Sequence, residues 1–236
     1  MLKKEITDHS PWRIIEKATH GGVKPGEIGA LVGTKGVGKT ACLVHLATYN
    51  LLLEKPVIHV SYARRVDYIL TWYEDIFREV ARRRNIPYQQ AEEVLASLAR
   101  QRVIMNFHQD ATQTERVLRS LEAMIREGNF PAELIIVDGY NFEKGTSEEI
   151  LLFKEFASRV KTSLWFSVSL PREELDFDEE GWPLRVKPYQ QIFDVMLTLK
   201  IEHNTIGLRV LKDHEFAPAG ELPVRFDSQS LLIVAE

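Results

Sequence analysis

The sequence predicts an α/β fold: a mostly parallel central sheet, helices on both faces, and an antiparallel extension at the carboxyl end. Three observations predict it. Up to about residue 170, short apolar runs alternate with segments of helical periodicity, the pattern of β-α-β units. A glycine-rich turn, residues 33–40, joins the first apolar run to the first helical segment. After a charged stretch, Glu173 to Gln191, four short apolar runs follow one another with turns between them, as in a β-meander.

Residues 1–24 read as a polar lead-in, with residues 25–236 as one domain. Trp12, Ile14 and Ile15 are its apolar anchors, onto the domain or onto a neighbouring subunit. Lys24-Pro25-Gly26-Glu27 turns the chain into a buried strand, Ile28 to Val32. Ala41 to Leu53 is a long apolar-faced helix without Pro or Gly. Pro56 to Ser61 is the second strand. Val66, Ile69, Leu70, Tyr73, Ile76, Phe77 and Val80 recur at helical spacing. Pro87 opens a further helix through Leu98. Val103 to Phe107 is the third strand, and Thr112 to Arg126 a helix stopped by Gly128-Asn129. Leu134 to Asp138 is the fourth strand, Ile150 to Val160 a helix, and Ser163 to Leu170 the fifth strand. Val195 to Ile201, Ile206 to Leu211, Pro223 to Phe226 and Leu231 to Val234 make the meander.

The turn carries the chemistry. Gly33-Thr34-Lys35-Gly36-Val37-Gly38-Lys39-Thr40 fits G-x-x-x-x-G-K-[ST], the phosphate-binding loop pattern, and Ala41 follows it. Its glycines let the backbone curl so that N–H groups face an anion. The next helix adds its positive end. Lys39, expected to face solvent, reaches the β- and γ-phosphates of ATP, and Thr40 ligates Mg²⁺. Asp138, at the carboxyl end of an apolar strand, is the expected second metal support.

Bulk properties narrow the rest. Net charge is −4 and 44% of residues are hydrophobic. There is no global basic bias, so constitutive electrostatic binding of nucleic acid is disfavoured. The single cysteine, Cys42, excludes an internal disulfide and reads as a buried side chain. The seven histidines contain no His-x-x-x-His pair, so zinc is not expected. Arg64-Arg65 and Arg82-Arg83-Arg84 read as solvated helix faces, and Asp176, Asp178, Glu179 and Glu180 as an acidic loop. Trp182 and Tyr189 read as core or interface packing. The opening residues lack the apolar segment of a secretory signal, and no run suits a bilayer, so a cytoplasmic protein is expected.

Together these residues resemble the RecA-like phosphate-loop ATPases, and within them the DnaB-type helicase core and KaiC-type ATPases. The likeness runs from about residue 20 to 235. It rests on Gly22 and Pro25-Gly26-Glu27, the loop, Asp138, and the terminal meander with Leu211-Lys212-Asp213-His214 and Ala217-Pro218-Ala219-Gly220. It implies a head-to-tail homo-oligomer, a ring or filament, or a hetero-oligomer with a homologous ATPase. It also implies that Lys212 acts in trans on a neighbour's γ-phosphate.

Three departures follow from the same likeness. Ala63 stands where the group carries a water-polarising glutamate; Glu74 and Asp75 fall too far along the next helix to replace it. Loss of a general base costs about 10²–10⁴ in rate. His214 stands where an arginine finger is expected, a residue worth about 10³–10⁵. Ser169, before Leu170-Pro171-Arg172, replaces a glutamine sensor. The expectation is therefore an ATP-binding, Mg²⁺-dependent domain with slow hydrolysis. A degenerate ATP-sensing regulatory or scaffold subunit is the rival. A DNA-dependent motor is a third reading, opposed by the charge balance and the acidic loop.

Overall fold

Two short helices open the chain, α1 (Leu2–Asp8) and α2 (Trp12–Ala18). Then come β1 (Ile28–Thr34), α3 (Lys39–Leu52), β2 (Val57–Ser61), α4 (Val66–Arg83), α5 (Tyr88–Ala99) and β3 (Arg102–Asn106). α6 (Thr114–Arg126), β4 (Leu134–Asp138), α7 (Ser147–Val160) and β5 (Ser163–Leu170) complete the alternating part. A 3-10 turn, Leu184–Tyr189, leads to β6 (Val195–Glu202), β7 (Thr205–Asp213), β8 (Gly220–Asp227) and β9 (Ile233–Ala235). The computed structural model describes residues 2–8, 10–62, 65–107, 114–171, 177–178, 182–202, 205–227 and 233–235.

The strands form one nine-stranded sheet in the order β3-β2-β4-β5-β1-β6-β7-β8-β9. The first six in that order are parallel neighbours, and β6 through β9 are antiparallel. Crossovers between parallel strands are right-handed. From β1 the chain steps over to β2 and then outward to β3, which puts α3, α4 and α5 on one face. It returns through β4 and β5 and jumps past β1 to β6, which puts α6, α7 and the 3-10 turn on the other.

Two apolar clusters record that division. One gathers Leu43, Tyr73, Phe77 and Leu95 of α3–α5 with Leu134 and Ile136 of β4. The other gathers Val117, Leu121, Phe153 and Val186 with Ile135 and Val137 of the same strand. Alternation along β4 thus feeds both cores, which explains why parallel strands buried on both faces read as unbroken apolar runs.

The lead-in is part of this body. Trp12 and Ile15 are buried, and Trp12 meets Trp165 of β5 edge-on, with ring centroids 6.2 Å apart. The anchor cluster therefore packs on its own domain. α7 begins at Ser147, earlier than the apolar spacing predicts, because Thr146 and Glu149 form a reciprocal capping box. β1 runs two residues past Val32, since Gly33 and Thr34 still pair with Ser169 and Leu170. The expected helix start at 112 and strand start at 231 lie outside the described residues. Trp182 and Tyr189 are buried, as expected of packing residues. Arg82 and Arg83 both engage Glu79 on an exposed face of α4. Of the acidic loop, Asp178 accepts from the Trp182 N–H and from Lys187, while 176, 179 and 180 lie outside the described residues. Among the described residues no helix is long and apolar enough to cross a membrane.

Candidate functional site

The glycine-rich turn leaves the sheet at its centre. β1 and β5 are neighbours, yet their onward connections pass to opposite faces, and ligands of open α/β sheets bind at the crevice this creates. Gly38, at the entry to α3, has φ 102°, and Gly36 has φ 88°, values that side chains with a Cβ resist. Gly33 is required for a different reason: a Cβ there would lie 2.8 Å from Val37 Cγ1 and 3.2 Å from the Leu199 carbonyl. Val37 is buried and plugs the turn into the core. α3 is buried almost all round, with Cys42 inside it, so the turn rests on a rigid helix. Burial pushes the Cys42 thiol well above its ordinary pKa, which fits an inert core residue.

Lys39 is not solvent-facing as expected. It is 7% exposed, and its ammonium donates to the carbonyls of Gly33 and Thr34, both at 2.9 Å. The turn folds back over its own lysine, which places the cation inside the ring of backbone. Burial lowers its pKa to about 8, with Asp138 opposing that shift.

Thr40 and Asp138 come together although 98 residues separate them: Thr40 Oγ1 donates to Asp138 Oδ2 at 2.8 Å. Asp138 is buried, and the chain turns sharply after it through Gly139, whose N–H donates to Ser167 Oγ at 2.8 Å. A hydroxyl and a carboxylate are hard oxygen donors, the set Mg²⁺ takes when water and phosphate oxygens complete its octahedron. Among the described residues no group of three or more His, Cys, Asp or Glu could enclose a metal alone. This pair therefore suits a cation shared with a ligand.

Two residues of β2 join the site that sequence reasoning passed over. Ser61 is the register partner of Asp138, and His59 that of Ile136; both are fully buried. His59 Nδ1 lies 3.1 Å from the Tyr73 hydroxyl, and Nε2 has no hydrogen-bond partner. Burial drives its pKa down to about 4, against the pull of Asp138, so the ring is neutral at pH 7. Two polar residues at alternate positions of an otherwise apolar strand were the available signal.

Other anticipated residues lie elsewhere or outside the described residues. Ala63, Arg64 and Arg172 lie outside them. Ser169 is exposed on β5 opposite Gly33, beside the turn. Lys212 pairs with Met196, which pairs with Ala30, so it sits toward the amino end of the sheet, away from its own glycine-rich turn. Its ammonium donates to the Gln190 carbonyl at 2.8 Å, and burial lowers its pKa. His214 is further from the turn, between Asp213 at 2.8 Å and Glu27 at 3.0 Å.

A cavity of about 550 Å³ opens directly beside Gly33 and Thr34. Leu170, Phe177 and Leu199 give it apolar walls, and its charges are of both signs, Arg209 and Arg225 with Glu202 and Glu221 among them. That volume suits a small organic ligand. No protein-family model matches this chain, and no curated protein matches it.

Proposed function

We propose that this chain is a RecA-like ATPase domain that binds ATP with Mg²⁺ and hydrolyses it slowly, within a head-to-tail oligomer. The observation that carries the reading is the Thr40–Asp138 contact, which joins the helix after the glycine-rich turn to the end of β4. A G-x-x-x-x-G-K-[ST] match alone would not require that contact.

In this reading the turn's amides and the amino end of α3 hold the β- and γ-phosphates. Lys39 leaves the Gly33 and Thr34 carbonyls for phosphate oxygens. Thr40 and Asp138 hold Mg²⁺, which supplies neutralisation of the charge that develops on the phosphates. The adjoining cavity takes the nucleoside. Ser61 stands beside Asp138 and buries the rear of the site, excluding water there. In this reading turnover is slow because Ala63 stands in the chain where a general base is expected.

A second reading is an ATP-sensing subunit without turnover. One observation favours it: both ring nitrogens of His214 and the ammonium of Lys212 are engaged within their own chain, which leaves neither poised for a neighbour.

Titration calorimetry with ATP, with and without Mg²⁺, tests the site. Wild type binds MgATP more tightly than ATP alone, and Thr40→Val and Asp138→Asn each erase that advantage. No binding of ATP in any form, or an undiminished Mg²⁺ advantage in both variants, refutes the assignment.

A further inference from the structure

At the end of the sheet opposite the glycine-rich turn, four titratable side chains form one chain of contacts. The carboxylate of Asp213, fully buried at the end of β7, has His20 Nδ1 at 2.5 Å on Oδ2 and His214 Nδ1 at 2.8 Å on Oδ1. His214 Nε2 in turn lies 3.0 Å from Glu27 Oε2. The four residues come from three places: the end of α2, the connection into β1, and the end of β7.

The geometry fixes a protonation state. A neutral imidazole has one N–H and one bare nitrogen. Each nitrogen of His214 faces a carboxyl oxygen, so with both carboxylates ionised both contacts are hydrogen bonds only when the ring is an imidazolium. His20 supplies the contact on the other oxygen of Asp213, and its ring also stacks on Phe216, with centroids 3.8 Å apart and planes 15° apart. With His214 protonated, its cation lies between the two carboxylates. With His214 neutral, one of its nitrogens faces a carboxylate without a proton, beside the completely buried Asp213.

We infer that His214, Asp213 and Glu27 form a proton-dependent clasp, continued to the end of α2 through His20, that tightens the hold of the sheet on the α2 end and on the connection into β1 at low and neutral pH and loosens it as pH rises. The local backbone is built for this contact. His20 (φ 46°), Gly21 (φ 103°) and Gly22 (φ 72°) are successive left-handed residues that end α2 and turn the imidazole toward β7. His214 is itself left-handed, with φ 50°.

The surrounding charges support the direction. Burial works against charging His214, but its hydrogen bonds to Glu27 and Asp213 outweigh that and raise its pKa above the ordinary value. Lys24, on the same connection as Glu27, opposes the rise. In the next layer Asp194 is held by Lys154 and by the Ile28 N–H, its carbonyl accepts from the His214 N–H, and Lys212 lies near Asp194 and Glu215. A histidine whose pKa is raised on folding adds stability that is complete below its unfolded value and lost as pH climbs through the folded one. The clasp therefore loosens in the neutral-to-alkaline range, as pH climbs through the raised pKa of His214.

Hydrogen exchange read by mass spectrometry tests it on the whole chain, at about pH 6 and about pH 8.5, with times scaled for the intrinsic pH dependence. Protected amides in residues 12–22 lose at least about tenfold protection at the higher pH, the scale of one hydrogen bond to a charged group, while β4 amides keep theirs. His214→Gln removes this pH dependence and shows the weaker protection at both pH values. Should circular dichroism show that variant unfolded, Glu27→Gln serves in its place. Equal scaled protection of residues 12–22 in wild type at the two pH values overturns the clasp. So does an unaltered pH dependence in a folded His214→Gln or Glu27→Gln.

Discussion

Replacing Lys39 by methionine separates a functional lysine from a structural one, because the two roles predict opposite signs of stability change. Methionine keeps the length of the side chain and its apolar stem but has no charge. In the ligand-free fold the ammonium has two carbonyl partners at 2.9 Å, and each hydrogen bond to a charged group contributes about 1.5–3 kcal/mol. Burial of the ion opposes this by several kcal/mol. The balance is written in the pKa, lowered from 10.5 to about 8. At 1.36 kcal/mol per unit, the site disfavours the charged form by roughly 3 kcal/mol relative to the unfolded chain.

Lys39→Met should thus stabilise the empty protein by about 1–3 kcal/mol at pH 7 while abolishing MgATP binding. The sign extends to pH. Between about 8 and 10.5 the unfolded chain binds more protons at this group than the folded one does, so wild type gains stability and the advantage of methionine shrinks. Urea unfolding at pH 7 and pH 10, with calorimetry for MgATP, measures all three effects. Destabilisation by more than about 1 kcal/mol at pH 7 would mean that the lysine holds the turn together and that its hydrogen bonds outweigh the cost of burying it. Unchanged MgATP affinity would remove Lys39 from any phosphate site. A variant that gains stability and loses binding is the signature of a charge kept buried for a ligand.

Two further outcomes are expected. Phosphate release at saturating MgATP should be slow in wild type and should rise by about 10²-fold or more in Ala63→Glu, the contribution of a restored general base; an unchanged rate would show that position 63 does not face the reacting phosphate. Trp12→Ala, which removes a ring that is 2% exposed and packed on Trp165, should cost about 3–5 kcal/mol, or roughly 6–20 °C in Tm. A loss under about 1 kcal/mol would mean that the α1–α2 segment is only loosely attached.

Much of the fold follows from local pattern. The bounds of β4 coincide with its apolar run, which ends in Asp138, because a strand buried on both faces is apolar along nearly its whole length. The glycine-rich turn was legible as well, since Gly36 and Gly38 answer to backbone angles that few other residues accept. The start of α7 was missed even though Thr146-x-x-Glu149 is a written signal, because apolar spacing begins only at Ile150.

What the sequence by itself determined, then, was the alternation of elements, the switch to a meander, and the identity of the loop residues, all properties of a short window. The tertiary structure decided everything that depends on strand order. Ser61 meets Asp138 only because β2 lies beside β4, and Thr40 meets Asp138 only because α3 starts where β4 ends. Lys212 stands far from its own glycine-rich turn because β7 runs antiparallel to β6, which carries its end back to the amino end of β1. The burial of Lys39, the cavity beside Gly33, and the pairing of His20 with a carboxylate 193 residues away are likewise products of packing. The physical reason is common to all of them: hydrogen bonds, desolvation and charge act through space, and chain separation carries no information about them until the sheet order is known.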